Sequence, residues 1–241
     1  MYERFALIYD SPAGQLGQAA LGLLDRGIDV LYAADLDEAM LLASQEEDRL
    51  GALLVPSSLN AGALAELIHR VAPRLPSGIE TMVPIGLEPE PDVAALLRRA
   101  GVRWCLWEPY ELRELRFVTV AALMAGNPGE RRKALRVPTR VSAEVLQGET
   151  RRPGVLCDLS QGGAYLGVDP PFDTGSEVQM ELDVPAASIF LRGRVAHAHG
   201  PELPPRDDLP GGIGVEFLEV PKRDRAVVGQ LISELTQPYR L

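Results

Sequence analysis

Two segments of this 241-residue chain carry side chains whose types and spacing suit the capture of an anion. Arg132 and Arg136 stand four apart in a stretch, residues 131–140, that holds Arg131, Arg132, Lys133, Arg136 and Arg140 and no acid. Each guanidinium offers a rigid fork of donors to phosphate oxygens and a flat face for stacking on a base. Two of them on a segment between a loop and a strand can close over a planar anionic ligand. A solvated linker would use the same residues, and spacing alone leaves both readings open. Asp158, 22 residues beyond Arg136, lies in Cys157-Asp158-Leu159-Ser160-Gln161-Gly162-Gly163. Alternation along a strand puts Asp158 and Ser160 on one face. A carboxylate there can accept two N–H bonds from a guanine edge, and the paired glycines let the chain turn tightly beside a ligand. An Asx- or Ser-capped turn between two strands asks for the same residue types.

The elements that must position these groups follow two grammars. From residue 4 to about 126, short apolar runs alternate with helical patterns: strands at Phe5 to Tyr9, Ile28 to Tyr32, Ala52 to Val55, Thr81 to Ile85 and Val102 to Trp107. Between and after them fall helices from Leu16 to Leu24, Asp37 to Ser44, Ala61 to Val71, Asp92 to Ala100 and Leu112 to Met124. Five such units predict an α/β domain with a mostly parallel, doubly wound, flavodoxin-like sheet. After Gly126-Asn127-Pro128-Gly129 the period changes to two, with Val141, Ala143 and Val145, then Val178, Met180 and Leu182, alternating with polar residues. One helix closes the chain, Arg223 to Leu235, with Val227, Val228, Leu231, Ile232 and Leu235 on one stripe. This half predicts an antiparallel β-barrel or sandwich with a C-terminal helix. The expected division is residues 1–126, a linker at 127–137 carrying the arginines, and residues 138–241.

Charge divides as unevenly as pattern. The chain has 34 acidic and 24 basic side chains, a formal net charge of −10. Residues 1–127 hold ten arginines, no lysine and 18 acids, a net of −8; residues 128–241, with 14 bases and 16 acids, carry only −2. Such a surface argues against coating DNA or anionic lipid, though not against a local basic site. Cys105 and Cys157 have no CxxC spacing and read as small core residues of a cytoplasmic protein. No run approaches the length of a signal h-region or a membrane span. His197-Ala198-His199 has a metal-binding spacing but no third ligand, and reads as a polar strand end. His69 reads as a surface residue of its helix, and Glu88, Glu90 and Asp92, set among Pro89 and Pro91, as a solvated connection. With no GxSxG, Walker or HExxH motif, neither an enzyme nor a cofactor is expected.

Together, Arg132-Lys133-Ala134-Leu135-Arg136 fits RxxxR, and Asp158-Leu159-Ser160-Gln161-Gly162-Gly163 fits [D/N]xSxxG. The pair resembles the signature of PilZ domains, receptors for the second messenger cyclic di-GMP. Val137-Pro138, Gly163-Ala164-Tyr165-Leu166, Leu191-Arg192-Gly193-Arg194-Val195 and Gly212-Ile213-Gly214-Val215-Glu216-Phe217 extend the resemblance over roughly residues 128–238. It implies a six-stranded barrel with the ligand on its outer surface. Arg132 and Arg136 would swing over the nucleotide, Asp158 and Ser160 would hold a guanine edge, and Gly163 would leave room. The residue before the first motif arginine biases family members toward one or two intercalated ligands. Arg131 resembles the two-ligand type.

The first half resembles the receiver domain of bacterial response regulators, with Trp107-Glu108-Pro109-Tyr110 similar to the family's Lys-Pro-Phe/Tyr turn. Phosphotransfer in that family needs an acidic pair after the first strand, an acceptor aspartate ending the third and a lysine ending the fifth. Here the positions read Asp10-Ser11, Pro56 and Glu108. The resemblance therefore implies a degenerate receiver, an interaction or homodimerisation module with an unidentified protein partner. Ser57 and Ser58 are poor substitutes for the acceptor.

Overall fold

The computed structural model describes residues 4–10, 14–125, 135–184, 187–200, 209–218 and 220–241. The chain divides into two compact units, Met1–Lys133 with Tyr239–Leu241, and Ala134–Pro238.

The first unit alternates strand and helix as its periodicity requires: β1 (Phe5–Tyr9), α1 (Gly17–Leu24), β2 (Val30–Ala33), α2 (Leu36–Gln45), β3 (Leu50–Pro56), α3 (Ala61–Val71), β4 (Met82–Gly86), α4 (Pro91–Ala100), β5 (Leu106–Trp107) and α5 (Leu112–Ala125). All pairings are parallel and the order is β2-β1-β3-β4-β5, the flavodoxin-like order. Every residue of β3 is buried, as a central strand covered on both faces demands. Local chemistry sets the helix ends. The Asp35 and Asn60 side chains accept the amides of Glu38 and Ala63 at the starts of α2 and α3, and Gly101, at φ +91°, ends α4 in the left-handed region.

The fifth strand is shorter than expected. Residues 103–105 do not join the parallel ladder and pair instead with Tyr239–Leu241: Cys105 N–H donates to the Tyr239 carbonyl at 3.0 Å, and Trp104 bridges Arg240 antiparallel. The second strand begins at Val30, with Ile28 fully buried ahead of it.

The second unit is a closed six-stranded antiparallel barrel, β6 (Val137–Gln147), β7 (Thr150–Ser160), β8 (Gly163–Val168), β9 (Glu177–Val184), β10 (Ala187–His199) and β11 (Gly212–Phe217), in the order β10-β11-β8-β7-β6-β9. Closure leaves no open sheet edge. Alternation fills the interior with Val145, Leu156, Leu166, Met180, Leu191, Ile213 and Val215, and α6 (Lys222–Thr236) adds Val228 and Leu231 to that core. The expected stripe on the last helix is the one used.

Candidate functional site

β6 and β7 run antiparallel with Pro138 opposite Asp158 and Val137 opposite Leu159. That register carries Arg136, just before β6, to the carboxylate 22 residues later: Arg136 Nη1 lies 3.4 Å from Asp158 Oδ1. Thus one residue of each motif meets at the same end of the barrel. Asp158 is 19% exposed and Arg136 45%, so the pair faces solvent and costs little to open. Register shifts on both strands, between Pro138 and Val141 and between Leu156 and Asp158, locally re-aim the side chains here. Arg131, Arg132 and Lys133 lie outside the described residues.

Ser160 and Gly163 close the two-residue turn between β7 and β8. The Ser160 hydroxyl donates to the Gly163 carbonyl at 3.0 Å and is 4% exposed. A Cβ on Gly163 would come 2.4 Å from the Val215 carbonyl of β11, so strand packing alone already demands glycine there. The turn and the strand packing thus occupy Ser160 and Gly163, while Asp158 and Arg136 stay nearer the surface.

Elsewhere on the barrel, His197 and His199 of β10 are neighbours, their ring centroids 5.5 Å apart, and Tyr165 stacks on His197 at 6.1 Å. Gly214, opposite His197, makes room for the imidazole: a Cβ there would meet the ring at 2.0 Å. Among the described residues, no cluster of three or more His, Cys, Asp or Glu could hold a metal ion.

In the first unit, the ends of β1, β3 and β5 lie on one edge of the parallel sheet and carry Asp10, Pro56 and Glu108. Asp10 is fully buried. It accepts the amides of Gln15 at 3.1 Å and Leu16 at 2.8 Å, ahead of α1, and the Tyr32 hydroxyl at 2.7 Å. That hydrogen bond, with burial, pushes the Tyr32 phenol up. Pro56 is the last residue of β3 and pairs with Ile85. Ser57 donates its hydroxyl to the Leu87 carbonyl at 2.7 Å, and Ser58 reaches Gln15 at 3.2 Å. Glu108 N–H donates to the Gly86 carbonyl at 2.8 Å, which places its backbone beside the end of β4. Ser11 lies outside the described residues. Sequence reasoning found Asp10 but missed Tyr32 as its partner. It also missed the role of Tyr239 to Leu241, which follow a helix and a proline and belong to no periodic pattern.

Comparison with known proteins identifies the second of these units. Residues 130–234 match the family model described as PilZ domain, and the second unit is a PilZ domain. No curated protein matches the chain. Similar solved structures include the inhibitor of motility MotI/DgrA of Bacillus subtilis, at 16% identity and a TM-score of 0.36 over 42% of this chain and 49% of that one. The chain thus spans about half the length of that protein. The PilZ domain of YcgR from Escherichia coli, solved with c-di-GMP, matches at 14% identity and a TM-score of 0.38 over 45% and 94% of the two chains. The chemotaxis protein CheY4 of Vibrio cholerae matches at 16% and 0.40 over 49% and 98%.

Among the described residues, no helix is long and apolar enough to cross a membrane.

Proposed function

We propose that the chain is a non-enzymatic signalling effector of the cytoplasm that captures cyclic di-GMP with its PilZ unit. The observation that carries this reading is the Arg136–Asp158 pair, which brings the two signature segments to one exposed place on the barrel. Arg136 would leave its carboxylate for a ligand phosphate or guanine, with Arg132 closing beside it and Arg131 adding a third stacking guanidinium suited to a second intercalated ligand. Asp158 would accept from a guanine edge. Ser160 would act through the turn it closes, and Gly163 through the close strand approach it permits. No cofactor takes part; the nucleotide is the ligand. Because the arginine segment joins the two units, capture would fix that segment on the nucleotide and reorient the units.

The first unit is proposed to be a receiver that cannot be phosphorylated and serves an unidentified protein partner or a homodimer. Proline at the end of β3 offers no acyl phosphate. Asp10 is engaged with two amides and a phenol where a magnesium ligand would need its oxygens outward, and Glu108 would repel a phosphoryl group.

Calorimetric titration tests the nucleotide reading. Heat at micromolar cyclic di-GMP, lost in an Arg132→Ala/Arg136→Ala variant, is expected. A second reading, a PilZ-fold adaptor that needs no nucleotide, draws on the internal partners of the signature residues: Arg136 on Asp158, Ser160 on Gly163 and Gly163 under Val215. Absence of binding would favour it. Small-angle scattering of the full chain tests the reorientation, and an unchanged profile at saturating nucleotide would contradict it.

A further inference from the structure

We infer that the edge of the first unit's sheet is a peptide-recognition surface, and that its occupant is the chain's own Tyr239–Leu241. Backbone addition and side-chain recognition coincide here. Cys105 N–H donates to the Tyr239 carbonyl at 3.0 Å, Leu241 N–H reaches the Arg103 carbonyl at 3.5 Å, and Trp104 pairs antiparallel with Arg240. Leaving the 3-10 turn at Gln237–Tyr239, the chain is thus bridged at Arg240 to a stretch that the parallel ladder leaves unused, a one-residue form of the way a β-strand peptide joins an open edge.

Each of the three side chains has its own receptor. Tyr239 packs on Phe117 of α5 at a centroid distance of 5.0 Å, and its hydroxyl donates to Glu114 Oε1 at 2.7 Å. The Arg240 guanidinium lies 4.2 Å over the Trp104 ring, with Phe117 edge-on to the same indole at 5.8 Å. Leu241 packs against the core of the unit. The surface therefore reads an aromatic hydroxyl, a cation and an aliphatic group in order, the chemistry of a Tyr-Arg-Leu peptide.

Docking is local rather than part of the barrel's fold, since the boundary between the units falls between Pro238 and Tyr239. It is also opposed by charge: Arg103 lies 5.9 Å over the same Trp104 ring, so the docked segment sets two guanidiniums on one indole. A short segment held by three side chains and delivered by its own chain at millimolar effective concentration is the kind of contact that opens without unfolding the rest. The inference does not depend on nucleotide binding.

Hydrogen exchange on the full chain tests it. In a Tyr239→Ala/Arg240→Ala variant the Cys105 amide should exchange at least about tenfold faster while the amides of Leu53 and Leu54 in β3 keep their protection. A synthetic Gln-Pro-Tyr-Arg-Leu peptide at about 5 mM should slow that exchange again, and a peptide with alanine for tyrosine and arginine should not. Unchanged protection at Cys105, loss of protection throughout β3, or no rescue by the peptide would each overturn the inference. Wild-type protection that falls on dilution would identify a second copy as the source of the segment and overturn docking in cis.

Discussion

At the residue scale, Arg136, Gly163 and Asp10 differ in how much the fold itself asks of them. In the Arg136–Asp158 pair the arginine is 45% and the carboxylate 19% exposed, and pairs open to solvent contribute about 0–1 kcal/mol. Arg136→Ala is accordingly expected to leave the urea midpoint nearly unchanged while weakening cyclic di-GMP binding at least tenfold; a large loss of stability would show that the arginine is structural. Gly163→Ala should do the opposite, driving a methyl into the Val215 carbonyl and costing the barrel about 1–3 kcal/mol with no nucleotide present. Denaturation of that variant without ligand checks it. Asp10→Ala would leave the buried Leu16 amide without its acceptor and remove the partner of the Gln15 amide and the Tyr32 hydroxyl, a loss of about 1–3 kcal/mol, readable as a lower melting temperature of the first unit. That cost is the physical sense in which Asp10 belongs to the fold before it belongs to any metal chemistry.

At the scale of elements, burial makes the strip between Val102 and α5 a probe of alkaline stability. Burial pushes the Cys105 thiol up to about 12 from an ordinary 9.0. Burial and the hydrogen bond to Glu114 also raise the Tyr239 phenol from its ordinary 10.0. A raised value favours the neutral form. The stability these groups lend is complete below their unfolded values and falls as pH climbs from about 9 to 12 for Cys105, and from about 10 upward for Tyr239. Thiol labelling of the native chain at pH 8 should therefore be negligible, and the first unit should lose stability first as pH passes 9. Fast native-state labelling at pH 8 would contradict the burial.

The same strip shows what the sequence could and could not disclose. The sequence pattern alone located all five strands and five helices of the first unit, because the helices bury one face each and the central strands are short continuous apolar runs. It extended the fifth strand back to Val102, because Val102, Trp104 and Cys105 are buried. Burial there is completed by Tyr239 and Arg240, more than 130 residues away, and no local pattern encodes such a partner. Likewise the alternation of β7 put Asp158 and Ser160 on one face but was silent on the Gly163 carbonyl, the closest acceptor for that hydroxyl. The resemblance alone grouped Arg136 with Asp158; the antiparallel register of β6 and β7, which brings them within 3.4 Å, is not legible in the spacing.

At the scale of the whole molecule, the charge asymmetry acquires a meaning. Eight of the ten excess negative charges lie in residues 1–127, the half proposed to be a degenerate receiver with Pro56 and Glu108 at the phosphotransfer positions, and five of the 14 basic residues of the nearly neutral second half fall within residues 131–140. Incubation with acetyl phosphate should leave no phosphoryl group on the chain, and stable labelling in the first unit would refute the proposal of a degenerate receiver. Nucleotide binding should stabilise the PilZ unit by mass action, about 2.7 kcal/mol at a hundredfold excess over Kd, and should weaken as salt screens the phosphate contacts. Whether the PilZ unit is a cyclic di-GMP receptor is decided by calorimetric titration of the full chain beside its Arg132→Ala/Arg136→Ala variant. Saturable heat at micromolar nucleotide is expected from the native chain and none from the variant; no heat from the native chain, or equal binding by both, would show that it is not.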